Sequence, residues 1–214
     1  MNMRNIRLLA VLVTALGLVL LAAGQASAAV TLLTTDDTYT YQGSGGTNYN
    51  GLGLLVKSQT GMRRSSWLEF VLGDQVVNTA TLNMYLSSIP SGWGTSHTVQ
   101  IWANQYNFTE TTLVYTNAPA TTTWTQMTGW TASTTGVYYS ANITAFYNAN
   151  LTKRCTFKVT QSDSLSVGGA YEDGENYYGS TKVPYIFAVP EPSSILALAS
   201  GIIGIFGLAL RRKS

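Results

Sequence analysis

The chain has 214 residues, with 12 Lys and Arg against 10 Asp and Glu, one His and one Cys. A lone cysteine excludes an internal disulfide, and one His with one Cys excludes a His/Cys zinc cage within the chain. The formal charge of +2 belongs to the ends: Arg4, Arg7, Arg211, Arg212 and Lys213 lie outside 29–189, leaving seven basic against nine acidic residues there. That interior net charge of −2 gives no footing for a nucleic-acid surface, so no nucleic-acid partner is expected.

Residues 1–28 read as a signal peptide. Arg4 and Arg7 open it, Leu8 to Ala23 form its apolar centre, and Ala26-Ser27-Ala28 offers a cleavage site that leaves Ala29 first. Signal peptidase is the partner this implies.

Residues 29–189 are rich in Thr, Ser, Tyr, Asn and Gly and show no long helical period. Strands are expected at Val30 to Thr34 and Leu52 to Lys57. Next come runs alternating with period two. Leu68, Phe70 and Leu72 alternate with Trp67, Glu69 and Val71; Leu82, Met84 and Leu86 with Thr81, Asn83 and Tyr85; Val99, Ile101 and Ala103 with Thr98, Gln100 and Trp102. Such alternation puts each set on one face of a strand. Further strands are expected at Gly136 to Ile143, Arg154 to Thr160 and Val183 to Val189, with one helical turn at Ile143 to Asn150. Gln42 to Gly51, Ile89 to Ser96 and Asp173 to Ser180 supply turns. The fold class this predicts is all-β, an antiparallel β-sandwich.

Catalytic chemistry finds little support. His97, at the start of a strand, has no neighbouring acid or nucleophile in sequence and reads as a strand-edge histidine; no metalloprotease, nucleophile-elbow or phosphate-loop pattern occurs. Cys155 reads as a small buried hydrophobe. No cofactor is required. Glu172, Asp173 and Glu175, around Gly174, supply the oxygen chemistry that a structural calcium takes.

Sugar binding has the better physical argument. Trp67 and Trp102 occupy positions alternate to the aliphatic residues, so both indoles face away from the core that those residues build. Trp93 sits in a Gly-rich turn, and Tyr41 and Tyr49 flank another. Flat aromatic faces stack on the C–H faces of pyranose rings, and indole N–H groups bond hydroxyls. The alternative role for each ring is packing beneath a covering loop. Arg63 and Arg64 fall on opposite faces, and a guanidinium there can hold the carboxylate of an acidic polysaccharide or brace a strand acid. Lys57, Lys153 and Lys158 add a diffuse positive surface.

Several segments then stand in a telling order: Asp37-Thr-Tyr-Thr-Tyr, Gly46-Thr-Asn-Tyr-Asn-Gly, Leu54-Leu-Val-Lys, Arg63-Arg64 leading into Trp67-Leu-Glu-Phe, Thr79-Ala-Thr-Leu-Asn-Met-Tyr, Thr109-Glu-Thr-Thr-Leu-Val-Tyr-Thr-Asn-Ala-Pro, and Val183-Pro-Tyr-Ile. This succession resembles DNRLRE domains, grouped among carbohydrate-binding modules. The resemblance implies a jelly-roll β-sandwich over 29–189. The chain departs from the pattern at Val71, Phe108 and Tyr115, where the family has Asp, Trp and Trp.

Residues 190–214 complete the chain. Pro190-Glu191-Pro192 ends regular structure. An apolar stretch over 193–210 suits a transmembrane helix, and Arg211, Arg212, Lys213 and Ser214 form a basic end that stays cytoplasmic. The order resembles the PEP-CTERM sorting tail of Gram-negative bacteria that make exopolysaccharide. The resemblance implies an exosortase partner and transient anchoring in the inner membrane, followed by transfer to the cell surface or extracellular matrix. Together these readings give an exported, non-enzymatic sandwich that associates with extracellular polysaccharide. A structural matrix protein without a saccharide site, and less so a polysaccharide-degrading enzyme, are the alternatives.

Overall fold

The computed structural model describes residues 28–162, 167–172, 174 and 181–191. The signal peptide, Pro192, the membrane segment, the basic end Arg211 to Lys213, and Asp173 and Glu175 lie outside the described residues. Ala29–Val189 form one compact unit.

Among the described residues there are eleven strands and one short α-helix: β1 (Val30–Leu33), β2 (Asp36–Tyr41), β3 (Leu54–Lys57), β4 (Arg64–Val71), β5 (Val77–Ser88), β6 (His97–Asn104), β7 (Thr125–Ala132), β8 (Val137–Asn142), α1 (Thr144–Ala149), β9 (Arg154–Gln161), β10 (Gly168–Tyr171) and β11 (Tyr185–Pro190). They form one antiparallel sheet in the order β1-β11-β5-β10-β3-β4-β9-β6-β7, with β2 on β4 and β8 on β5. The sheet curls strongly, so its two halves face each other as a sandwich across the main core.

Alternation builds that core as the sequence predicts. Leu68 and Phe70 of β4, Leu82, Met84 and Leu86 of β5, Val99 and Ile101 of β6, and Phe157 and Val159 of β9 are all buried in it. Phe70 and Phe157 meet edge to face at 5.8 Å as diagonal neighbours of the β4–β9 pairing, in which Leu68 stands opposite Phe157. The expected helical turn is α1. Asn142 Oδ1 accepts from the Thr144 N–H at 2.9 Å and starts it, and it presents Phe146 and Tyr147 to the core.

Three strands escape the sequence reading, β2, β7 and β10. β7 and β10 carry glycine where a side chain would collide. A Cβ at Gly129 would stand 2.1 Å from the Val99 carbonyl, beside the register shift between Thr98 and Gln100; one at Gly168 would stand 2.1 Å from the Val56 carbonyl. Close backbone approach replaces side-chain packing in these strands, so their hydrophobic pattern is faint.

His97 opens β6 as expected, but it is engaged inside the protein: it is 1% exposed, and its Nε2 lies 2.6 Å from the Tyr171 hydroxyl. The bare backbone at Gly169 makes room, since a Cβ there would lie 2.5 Å from the imidazole. Cys155 is buried as expected, and burial pushes its thiol up to about 11.

Candidate functional site

The tryptophans of the outward faces divide into buried and presented rings. Trp67 does point away from the main core, but it is fully buried. The segment between β6 and β7 folds back over it, so Trp67, Phe108, Leu113 and Trp124 make a second small core. Trp67 meets Trp124 edge to face at 5.7 Å, and its indole N–H donates to Thr40 Oγ1 at 3.0 Å. Its indole hydrogen bond is thus spent inside the protein, and Trp67 is a packing residue. Trp102 borders this small core and keeps part of its surface.

Glu69 anchors the covering segment. It is fully buried, pairs with Arg154 at 2.5 Å, and accepts from the Phe108 N–H at 3.3 Å. Burial raises its pKa and the Arg154 guanidinium opposes that rise. The buried strand acid thus has an arginine partner, but the partner is Arg154 of β9 rather than Arg63 or Arg64. Arg63 is exposed, and its charge, after burial, helps lower the pKa of Lys158, which sits over the Trp67 ring at 5.0 Å.

The remaining candidates converge. Tyr41 ends β2, Lys57 ends β3 and Arg64 opens β4. Arg64 is directly opposite both Tyr41 and Lys57 in the sheet register. The turn after β5 brings Trp93 to the same place, held by the Gly168 N–H donating to the Trp93 carbonyl at 3.1 Å. The Arg64 guanidinium lies over the Tyr41 ring at 4.0 Å and over Trp93 at 5.1 Å, and the Lys57 ammonium lies over Trp93 at 4.7 Å. Tyr49 stands 6.2 Å from Tyr41 and stacks on Tyr39 at 4.4 Å. Tyr41, Tyr49, Arg64 and Trp93 each keep part of their surface in solvent.

Electrostatics set this cluster apart. Among the described residues the ion pairs involve Arg154, with Glu69 and Asp36; none neutralises Lys57 or Arg64. Lys57 is only 6% exposed. Burial lowers its pKa, and the positive charge of Arg64 lowers it further. Arg64 Nε and both amide atoms of Gln161 are buried without a hydrogen-bond partner. Extending the β4–β9 register from Ser66 and Val159 by two residues places Gln161 opposite Arg64. Buried polar groups are rarely left unpaired. Two cations thus lie against aromatic rings, with an unpaired amide across the register from Arg64.

Lys57 is the member that sequence reasoning placed only in a diffuse positive surface with Lys153 and Lys158. Its signal was a cation closing an apolar strand run, and its importance comes from a cross-strand pairing no local pattern encodes.

Two other features stand apart from this cluster. A groove of about 490 Å³ along β6 and β7 is lined by Gln100, Gln126, Thr128, Trp130 and Ser162. It presents no charged side chain, and Trp130 is buried with its N–H donated to the Tyr171 hydroxyl. Of the acidic trio proposed for calcium, Glu172 is buried, and Asp173 and Glu175 lie outside the described residues.

An antiparallel β-sandwich that presents aromatic rings and cations at one end has the make-up of a binding module. Residues 28–176 match carbohydrate-binding module family 96, and the chain belongs to that family. Residues 188–213 match the PEP-CTERM protein-sorting motif, which marks a chain for export with a membrane-anchored C-terminal signal. No curated protein matches the chain.

Proposed function

We propose that the protein is a non-catalytic, exported surface or matrix protein whose sandwich holds an acidic extracellular polysaccharide at the Tyr41, Lys57, Arg64 and Trp93 cluster. One observation carries the reading: Lys57 and Arg64 both lie against the Trp93 ring with no carboxylate of the described residues to neutralise them. A uronate carboxylate supplies that neutralisation, with bidentate bonding to the guanidinium. The C–H face of its ring stacks on the aromatic surface. A neutral glycan offers the stacking without the charge, so acidic chains bind more tightly.

The sorting motif supports the setting: processing by exosortase after transport across the inner membrane, then residence at the cell surface or in the matrix of a Gram-negative bacterium. Affinity electrophoresis in polygalacturonate and in dextran tests the reading. Retardation by polygalacturonate that Arg64→Ala abolishes supports it. Equal mobility in both gels, for wild type and variant alike, would leave the purely structural matrix role.

A further inference from the structure

We propose a second saccharide-contact surface on the opposite half of the sheet, formed by Tyr85, Tyr138 and Tyr185 with Lys182. It rests on the polysaccharide-binding reading above and makes the module bivalent for one acidic chain type.

The strand pattern puts these rings outward. Leu82, Met84 and Leu86 of β5 point into the core, so Tyr85 and Asn83 point out; Tyr138 and Ser140 of β8 stand directly opposite them. In β11, Ile186 and Ala188 are core residues and Tyr185 faces the other way. Tyr138 meets Tyr85 at 5.3 Å and Tyr185 at 5.2 Å, both edge to face. Its hydroxyl donates to the Val183 carbonyl at 3.3 Å. Lys182 lies over the Tyr85 ring at 4.3 Å and donates to its hydroxyl at 2.8 Å. The rings are therefore held in place before any ligand arrives, which lowers the ordering cost of binding.

The two outward faces differ in their cover. The β6–β7 segment roofs β4 and buries Trp67 completely, whereas Tyr138 keeps 37% of its surface. The row is amphipathic: aromatic bodies carry hydroxyl tips, Ser140 bonds Asn83 at its border, and the cation is Lys182. A sugar chain uses these features, with its C–H faces on the rings and its hydroxyls at the polar rim. A protein partner would favour a continuous apolar patch and so fits this row less well. Two sites on one module let a molecule hold two chains, or two points of one chain, with the gain in retention that multivalency brings.

Isothermal titration of the purified full-length protein with an oligogalacturonate octasaccharide separates the two surfaces. The expected stoichiometry is two for wild type, one for Arg64→Ala, one for Tyr138→Ser/Tyr185→Ser, and no binding for the triple variant. Tyr138→Phe/Tyr185→Phe keeps the rings and should retain both sites, which guards against a folding artefact in the serine pair. A wild-type stoichiometry of one, abolished by Arg64→Ala and untouched by the tyrosine changes, overturns the second surface and leaves the first. Absence of any binding by wild type overturns both. Loss of self-association in the serine pair, with saccharide stoichiometry unchanged, would make the row a protein contact and also overturn the proposal.

Discussion

Replacing Lys57 with Met should stabilise the free protein and weaken its hold on acidic polysaccharide. The 4.7 and 5.1 Å distances of Lys57 and Arg64 from the shared Trp93 ring bound their separation below about 10 Å. Two unit charges at that distance repel by about 0.4 kcal/mol in water and about 1.7 kcal/mol at an effective dielectric of about 20. Lys57 is 6% exposed, which favours the upper part of that range. Losing the cation–π contact costs about 0.5–1 kcal/mol, and a thioether on the same ring recovers much of it. The net expectation is a gain of about 1 kcal/mol, or about 2–4 °C in melting temperature by calorimetry for a domain of this size. Binding should move the other way. A hydrogen bond to a charged group contributes about 1.5–3 kcal/mol, so affinity for polygalacturonate falls roughly 10- to 150-fold.

The same residue fixes a pH dependence. Its folded pKa lies below its ordinary value of 10.5, so between the two the unfolded chain binds more protons. Wild-type stability should therefore rise with pH across that alkaline window, while acidic-saccharide affinity falls as the ammonium is lost. Lys57→Met should show neither contribution from this site. A variant clearly less stable than wild type, with unchanged saccharide affinity, would refute the reasoning and make Lys57 a structural cation.

Other expectations follow from the same contacts. Trp67→Ala should cost about 3–5 kcal/mol in denaturant unfolding, because the ring is fully buried; Trp93→Ala should leave stability within about 1 kcal/mol and remove saccharide retardation. The reverse pattern would exchange their roles. Cys155, with its thiol pushed up to about 11, should ignore a thiol reagent at neutral pH in the native protein and react stoichiometrically in guanidinium; rapid native labelling would show that the β9 region opens. Alanines at Pro190, Glu191 and Pro192 should keep the full-length chain in the membrane fraction, and normal release of that variant would mean the motif is not read.

The legible part of this fold is the part written in local periodicity. Leu68, Leu82, Ile101 and Phe157 announced their strands because alternation and burial coincide there. The strands of Gly129 and Gly168 were silent because close backbone contact took the place of apolar side chains. The site was partly legible for a similar reason. Alternation correctly turned Trp67 and Trp102 away from the main core, but it carries no information on what a distant segment covers. Phe108, Leu113 and Trp124, some 40 to 60 residues on, convert Trp67 from a surface ring into a core ring. Trp93, Tyr41, Tyr49 and Arg64 were each visible as residue types beside turns. Their meeting, and the recruitment of Lys57, depend on pairing between β2, β3 and β4 that only the folded sheet provides.

A crystal structure of the protein with an oligogalacturonate tests the central claim most directly. A sugar carboxylate should sit about 2.7–2.9 Å from nitrogen atoms of Arg64 and Lys57, with a pyranose ring over the exposed part of Trp93 or Tyr41. Saccharide bound only in the β6–β7 groove, with Arg64 and Lys57 untouched, would contradict it.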